Sequence, residues 1–287
     1  MSYIDLHTHT TASDGTISPE ELIEYAIKKN LAAIAITDHD TIDGIEPARN
    51  HLGDSNAIEI ISGIEFSTSS LYLKNDIHIL GLYIDEKNSD FIHSLKSIVD
   101  SRNIRNEKML EKLKELGIKL SIEDVIKTSS GGIITRAHFS KAMVEKGYVI
   151  NNNEAFTKYI GNGCPAFVPR YKLPPDKAIK TIRNAGGVAV LAHPTLYHLN
   201  LRELDALIAE LCEYGLQGIE GLYSLYNRSE ISYLADFAAQ YNLVIAGGSD
   251  FHGANKSNID LGTGRGTLKI PYELLEPIKA LAIQNKK

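Results

Sequence analysis

Short apolar runs recur along the chain, and most end in a polar cluster. Residues 3–6 precede HTHT, 32–36 precede TDHD and 58–61 precede SGIEFS. Residues 77–82 contain His78, 188–191 precede AHP, 216–222 follow, and 243–246 precede GGSDFH. Continuous apolar runs suit strands covered on both faces, so these seven predict a buried, mostly parallel sheet.

Amphipathic stretches lie between them. In the first, Ser18 caps, Pro19 takes the first helical position and Glu21 completes a capping box. Leu22, Ile23, Ala26 and Ile27 then form one apolar face. Residues 175–185 predict a second helix, stopped by Gly186 and Gly187. Leu201, Leu204, Leu207, Ile208 and Leu211 mark a third, and 230–241 and 272–284 two more. This alternation predicts an α/β barrel or a doubly wound sheet. The barrel is favoured because polar clusters follow at least four different strands, whereas a doubly wound sheet gathers them near one switch point. Residues 86–172 interrupt the alternation with helical patterns at roughly 89–116, 121–129, 136–146 and 152–160, and GNGCPAFVP returns the chain. The expected organisation is a barrel domain from 1–85 and 173–287, with a helical insertion domain at 86–172 that sets substrate specificity.

Composition changes this picture little. The 287 residues carry a net charge of −6, which argues against an extended nucleic-acid or membrane surface. No run approaches the ~18 apolar residues of a membrane span. Residues 1–6 lack a basic region followed by an apolar run, and Cys164 and Cys212 are too few for a disulfide framework. A cytoplasmic location is expected.

The histidines change it more. His7 and His9 flank Thr8 at the end of the first strand, and a period of two puts both rings on one face. Asp250 and His252 repeat that spacing after the seventh strand. Asp14 follows in a glycine-containing loop, His39 lies in TDHD, Glu65 after the third strand, His78 on the fourth and His193 after the fifth. A lone HxH carries little weight. Here, however, six of the ten histidines lie at strand ends with acidic companions, while His51, His93, His138 and His198 do not. Nine nitrogen and oxygen ligands exceed the needs of one zinc and suit two or three divalent ions. Imidazole with carboxylate favours Mn, Fe or Zn over Mg or Ca. Asp38 and Asp40 fit hydrogen-bonding partners or helix caps better than ligands.

DLHTHTTASDGTISPEEL, AITDHDTIDGI, GIEFS, HILGLYID, GGVAVLAHP and GGSDFHG resemble, in order, the motifs of the polymerase-and-histidinol-phosphatase (PHP) superfamily of metal-dependent phosphoesterases. The resemblance spans most of the chain. It implies a distorted seven-stranded (β/α) TIM-like barrel and a trinuclear metal site. One ion would take His7, His9, Glu65 and Asp250, a second Glu65, His78 and His193, and a third Asp14, His39 and His252. It also implies hydrolysis by a metal-bridging hydroxide. His138, His193 or a metal-bound water would then protonate the leaving oxygen, and Arg136 would aid catalysis.

For the substrate, Leu95, Ile98, Arg102, Arg105 and Met109 share one helical stripe. Two arginines within an apolar stripe either bind phosphate or pair with barrel carboxylates. In SSGGIITRAHF, Thr135 caps a helix whose first turn holds Arg136 and His138, an anion-binding arrangement or simply a cap beside a surface arginine. The Arg-x-His placement and FVPRYKLPPDKAIKTIRNAGGVAVLAHP resemble the small PHP phosphoesterases that act on nucleotides; Arg170 is a weaker candidate phosphate ligand. GLYSLYNRSE departs from the family, which often has a histidine there, and His198 is expected to be an exposed loop residue. The resemblance thus implies a 3′,5′-nucleoside bisphosphate phosphatase, a 5′-3′ exoribonuclease on short RNA, or both. The expected partner is a small phosphorylated nucleotide or short RNA, not duplex DNA or a membrane. The alternatives are a histidinol-phosphate phosphatase and a non-catalytic phospho-ligand sensor with structural metals. A polymerase module is disfavoured because the chain has no room for a polymerase.

Overall fold

Each of the seven apolar runs forms a strand. The structure, a computed structural model, describes residues 2–69, 76–129 and 132–286; Ser130 and Gly131 of SSGGIITRAHF lie outside them. In chain order the elements are β1 (Tyr3–Asp5), α1 (Pro19–Lys28), β2 (Leu31–Ile36), α2 (Ile45–Leu52), β3 (Glu59–Thr68) and β4 (Ile77–Leu82). Then come α3 (Ser89–Glu115), α4 (Ile122–Ile126), α5 (Arg136–Glu145) and α6 (Asn152–Ala155), the last continued by a π-helical turn at Phe156–Ile160. The chain closes with α7 (Pro175–Asn184), β5 (Val188–Leu191), α8 (Leu201–Glu213), β6 (Gly218–Tyr223), α9 (Arg228–Gln240), β7 (Val244–Gly248) and α10 (Leu275–Asn285).

The strands follow one another in the sheet from β1 to β7. The Leu6 N–H donates to the Gly247 carbonyl at 3.1 Å, so the edges meet and the sheet closes into a barrel. One strand departs from the parallel expectation: β4 runs antiparallel to both β3 and β5. The connection from β3 to β4 is too short for the dozen or more residues of a parallel crossover. The reversal matters for the site. His78, the second residue of β4, pairs with Ser67 near the end of β3, at the rim where the parallel strands end. In a parallel β4 it would face the opposite rim.

The Ser18–Glu21 capping box forms as the sequence predicts, and Leu22, Ile23 and Ala26 are buried on α1. Burying each of the two larger side chains contributes about 2 kcal/mol. Ile27 and Leu201 are instead exposed, because they lie at the edge of the buried stripe or in the first turn. Inside the barrel, Ile4, Ala33, Ala35, Ile61, Leu80 and Val190 pack in one cluster with Leu275 and Ile278 of α10. Outside it, Phe91, Leu95 and Ile98 of α3 pack with Phe66, Ile79 and α7. A separate helical core gathers Met109, Leu113, Phe139, Met143, Ala155 and Ile160. The first half of α3 therefore belongs to the barrel's outer layer, and only its second half enters the helical core. No helix among the described residues is long and apolar enough to cross a membrane.

Candidate metal centre

The two alternate-residue motifs are neighbours on the closed seam. The Asp250 N–H donates to the His7 carbonyl at 2.8 Å, and the His9 N–H to the Phe251 carbonyl at 2.9 Å. Between the histidines, Thr8 turns away: its hydroxyl donates to the Ala35 carbonyl, and its N–H to the Thr37 hydroxyl. Both imidazoles consequently point to the barrel interior. A Cβ at Gly248 would lie 2.1 Å from that of His7, so only glycine lets the seam close here. TDHD extends the β2–β3 pairing: the Asp40 N–H donates to the Glu65 carbonyl and the Glu65 N–H to that of Asp38. His39 is thereby set beside Glu65.

Glu65 sits at the middle. Its Oε2 lies 3.3 Å from His7 Nε2, 3.2 Å from His9 Nε2 and 3.0 Å from His39 Nδ1. Its Oε1 lies 2.7 Å from His78 Nδ1 and 3.0 Å from His193 Nε2. Asp250 Oδ1 stands 3.6 Å from His7 Nε2 and 3.4 Å from His9 Nε2, while Asp14 Oδ1 stands 3.4 Å from His252 Nε2. All nine ligand candidates thus meet at one rim. Among the described residues, three sets place ligand atoms within 4.8 Å of one another: His9, Asp14, His39 and His252; His7, His9 and Glu65; and His39, Glu65 and His78. This grouping differs from the expected one: His9 also joins the Asp14 set, His39 joins Glu65 and His78, and Asp250 and His193 fall in none of the three sets.

The buried atoms fit divalent cations. Among the described residues, His7 Nε2, His9 Nε2 and His39 Nδ1 are buried without a hydrogen-bond partner, although each points at a carboxylate. An unpaired buried polar atom is costly, and metal ions bound in these sets would satisfy all three. Burial alone would raise the Glu65 carboxyl, but His39, His78 and His7 hold it well below the usual carboxylate range. His193 (φ 28°) and Asp250 (φ 57°) both adopt a positive φ that is uncommon outside glycine and frequent at functional sites.

A group that the sequence reading passed over supports this rim. Glu220 of β6 is fully buried. Its Oε1 lies 3.1 Å from His7 Nδ1, and its Oε2 accepts the His193 N–H at 2.7 Å. The available signal was a lone acid within the apolar run LQGIEGLY. Asp38 accepts from Thr10 N–H, Thr10 Oγ1 and Ser13 Oγ, which fixes the loop carrying Asp14.

Asp14, His39 and His78 form the open side of the cluster and line a chamber of about 350 Å³. Arg102, Arg105, Arg136, Arg170 and Lys172 line the same chamber. Of the two expectations for the arginine stripe, pairing with a barrel carboxylate is seen at Arg102. Arg102 faces the chamber and pairs with Asp40, which also accepts from Arg170 at 2.7 Å. Burial would raise the Asp40 carboxyl, yet Arg102 and Arg170 hold it down at about 2. Among the described residues Arg105 meets no such carboxylate: one Nη donates to the Ile134 carbonyl at 3.3 Å, and its Nε finds no partner there. Burial, followed by Arg102, Arg170 and Arg136, pushes its guanidinium down to about 8. Arg136 donates to Asn162 Oδ1 at 2.9 Å and stacks 5.4 Å from the Phe167 ring.

His138 does not line that chamber. It lines a separate cavity of about 260 Å³ with Lys141 and Asn152. Its Nδ1 accepts the Thr135 N–H in a capping box, and burial pushes the ring down to about 4. A neutral ring committed to a helix cap is poorly suited to donate a proton at neutral pH. His198 is a left-handed loop residue outside the cluster.

Comparison with known proteins agrees with this geometry. The PHP domain profile matches residues 5–163. The chain is 36% identical to the 5'-3' exoribonuclease Rnm of Escherichia coli K12, over 86% of its length and 84% of that protein's. It is 32% identical to the 3',5'-nucleoside bisphosphate phosphatase of Chromobacterium violaceum, over 91% of both. A structure from Bifidobacterium adolescentis, assigned as a metal-dependent phosphoesterase, superposes with a TM-score of 0.82 at 27% identity, covering 98% of this chain and 96% of that one. With its barrel, its histidine–carboxylate rim and relatives aligned along nearly its whole length, the chain belongs to the PHP domain family and is a phosphoric ester hydrolase.

Proposed function

We propose that the chain hydrolyses phosphate esters of nucleotides: 3′,5′-nucleoside bisphosphates, short 5′-phosphorylated RNA, or both. The observation that carries this reading is the shared chamber, where a metal-type cluster and five cationic side chains line one space. The cluster residues His7, His9, Asp14, His39, Glu65, His78, His193, Asp250 and His252 would hold two or three divalent ions, with Mn, Fe or Zn best suited to their donor atoms. Bound ions supply Lewis-acid activation of water and offset charge on the phosphoryl group.

The chain's own residues do the rest. Arg105, which meets no carboxylate among the described residues, is the cation best placed to hold a substrate phosphate. Arg102 and Arg170, fixed by Asp40, present further guanidinium charge without rearranging. Arg136, seated on two aromatic rings, closes the chamber on the side of α5. His193 meets the cluster through Nε2. The segment 86–172 supplies Arg102, Arg105, Arg136 and Arg170, which supports its role as a specificity domain. Two free cysteines suit a reducing cytoplasm. Both named relatives act on nucleotide substrates, the first on RNA and the second on nucleoside bisphosphates.

The test is a substrate panel with Mn²⁺-loaded protein: 3′,5′-bisphosphoadenosine, AMP, histidinol phosphate and a 5′-phosphorylated RNA oligomer. Phosphate released from the first, or mononucleotides from the last, is the expected result. Turnover of histidinol phosphate alone would sink the reading. Arg105→Ala should lower kcat/KM about 100-fold, the loss of one charge-assisted contact, with metal content unchanged.

A further inference from the structure

The chamber shares a wall with a second hollow. Arg105, Val168, Pro169 and Arg170 line the chamber and also an adjoining outer groove of about 400 Å³. That groove lies on a different face of α3 from the chamber. Ser97, Ser101, Ile104 and Lys108 recur at helical spacing along it, whereas Arg102 sits on the chamber side. Two apolar side chains stand open there: Ile104 is 54% exposed and Tyr171 is 51% exposed. The backbone of Tyr171 is fixed, since its N–H donates to Ser101 Oγ at 2.6 Å and its carbonyl accepts from Arg170 at 3.2 Å. An exposed aromatic ring on a pinned backbone, flanked by cations, is a platform for a nucleobase beside a phosphate. The acidic residue in the groove, Asp100, is paired with Lys96.

We propose that this outer groove is a second nucleotide subsite. With the scissile ester at the histidine–carboxylate rim, the adjoining nucleotide of an oligomer passes between Arg105 and Arg170. Its base stacks on Tyr171, and the next phosphate along the oligomer, which a dinucleotide lacks, meets Lys108. The inference rests on the nucleotide reading above and extends it: the groove selects oligonucleotides over mononucleotides, which the chamber alone accommodates.

Kinetics on the Mn²⁺-loaded full chain test it. For the unaltered enzyme, KM should fall from a 5′-phosphorylated dinucleotide to a tetranucleotide. Tyr171→Ala should raise KM for both by about tenfold, the loss of one base–aromatic stack. Turnover of 3′,5′-bisphosphoadenosine should stay unchanged, and Tyr171→Phe should keep the behaviour of the unaltered enzyme. Unaltered oligomer kinetics in Tyr171→Ala, or equal losses on oligomer and bisphosphonucleoside, overturn the subsite. No turnover of either substrate by the unaltered enzyme overturns the nucleotide reading, and this one with it.

Discussion

Glu220 holds two of the candidate ligands through one oxygen each, the His7 ring and the His193 backbone. A carboxylate on the far nitrogen of a ligating histidine fixes its tautomer and raises its basicity. Glu220→Gln should therefore lower divalent-ion affinity by about 10- to 100-fold, read by chelator competition. Unchanged affinity would show that His7 needs no such support. His138 makes a different argument. Its ring is pushed from 6.5 down to about 4 by burial, so between those values the unfolded chain binds a proton that the folded chain does not. Its contribution is complete above pH 6.5 and is lost as pH falls through 4, a swing of about 3 kcal/mol. In His138→Gln, which keeps an acceptor at the third helical position, the gap in urea stability between pH 7.5 and 4.5 should shrink by about 2 kcal/mol. The nine rim residues were legible because strand periodicity and position after apolar runs are local signals. Glu220 and the helix-capping role of His138 were not, since each depends on what folding brings alongside.

At the scale of elements, Asp40 joins three parts of the chain that are distant in sequence. It sits after β2, and it receives Arg102 from α3, Arg170 from the returning segment and the Ser67 N–H from β3. Breaking a buried pair by removing one partner leaves uncompensated charge and costs about 3–5 kcal/mol. Asp40→Asn tolerates the positive φ of 55°, so its expected loss of about 3 kcal/mol reports the ion pairs rather than backbone strain. Thermal unfolding measures this, and a melting temperature within a degree of the unaltered protein would contradict it. Amphipathic spacing revealed the stripe of Arg102 and Arg105, but not the carboxylate that one of them meets. The direction of β4 was legible in principle, through the short connection before it. It went unread because an apolar strand looks the same in either direction.

For the whole molecule, the net charge of −6 is unevenly placed. Asp14, Glu65 and Asp250 gather at the rim, while arginines line the chamber beside them. Cations bound at that rim would favour the folded state, because the unfolded chain scatters the nine groups. At 100 times its dissociation constant, an ion adds about 2.7 kcal/mol. Melting temperature should rise with added Mn²⁺ and fall back with chelator. A flat response would count against resident ions, whatever the enzyme's activity. The barrel and its helical interruption were legible from alternation. The division of α3 between two cores was not, since both halves carry the same stripe.

The reversed strand has a mechanical consequence. Because β4 runs against its neighbours, the chain leaves the barrel at the face opposite the chamber, where Asp85 and Asn88 bond to the end of α7 and the residue after it. To reach the arginine positions it must climb back up the outside, and α3 does this in one unbroken rod of 27 residues, ~40 Å long. Its foot is at the base of the barrel, its midpoint beside the rim and its head in the helical core. The height and rotation of Arg102 and Arg105 are thus gauged from below, by the count of residues from Ser89 upward. One residue added or lost between Ile98 and Arg102 would turn both arginines by ~100° relative to Phe91, Leu95 and Ile98, which hold the foot of the rod against the barrel.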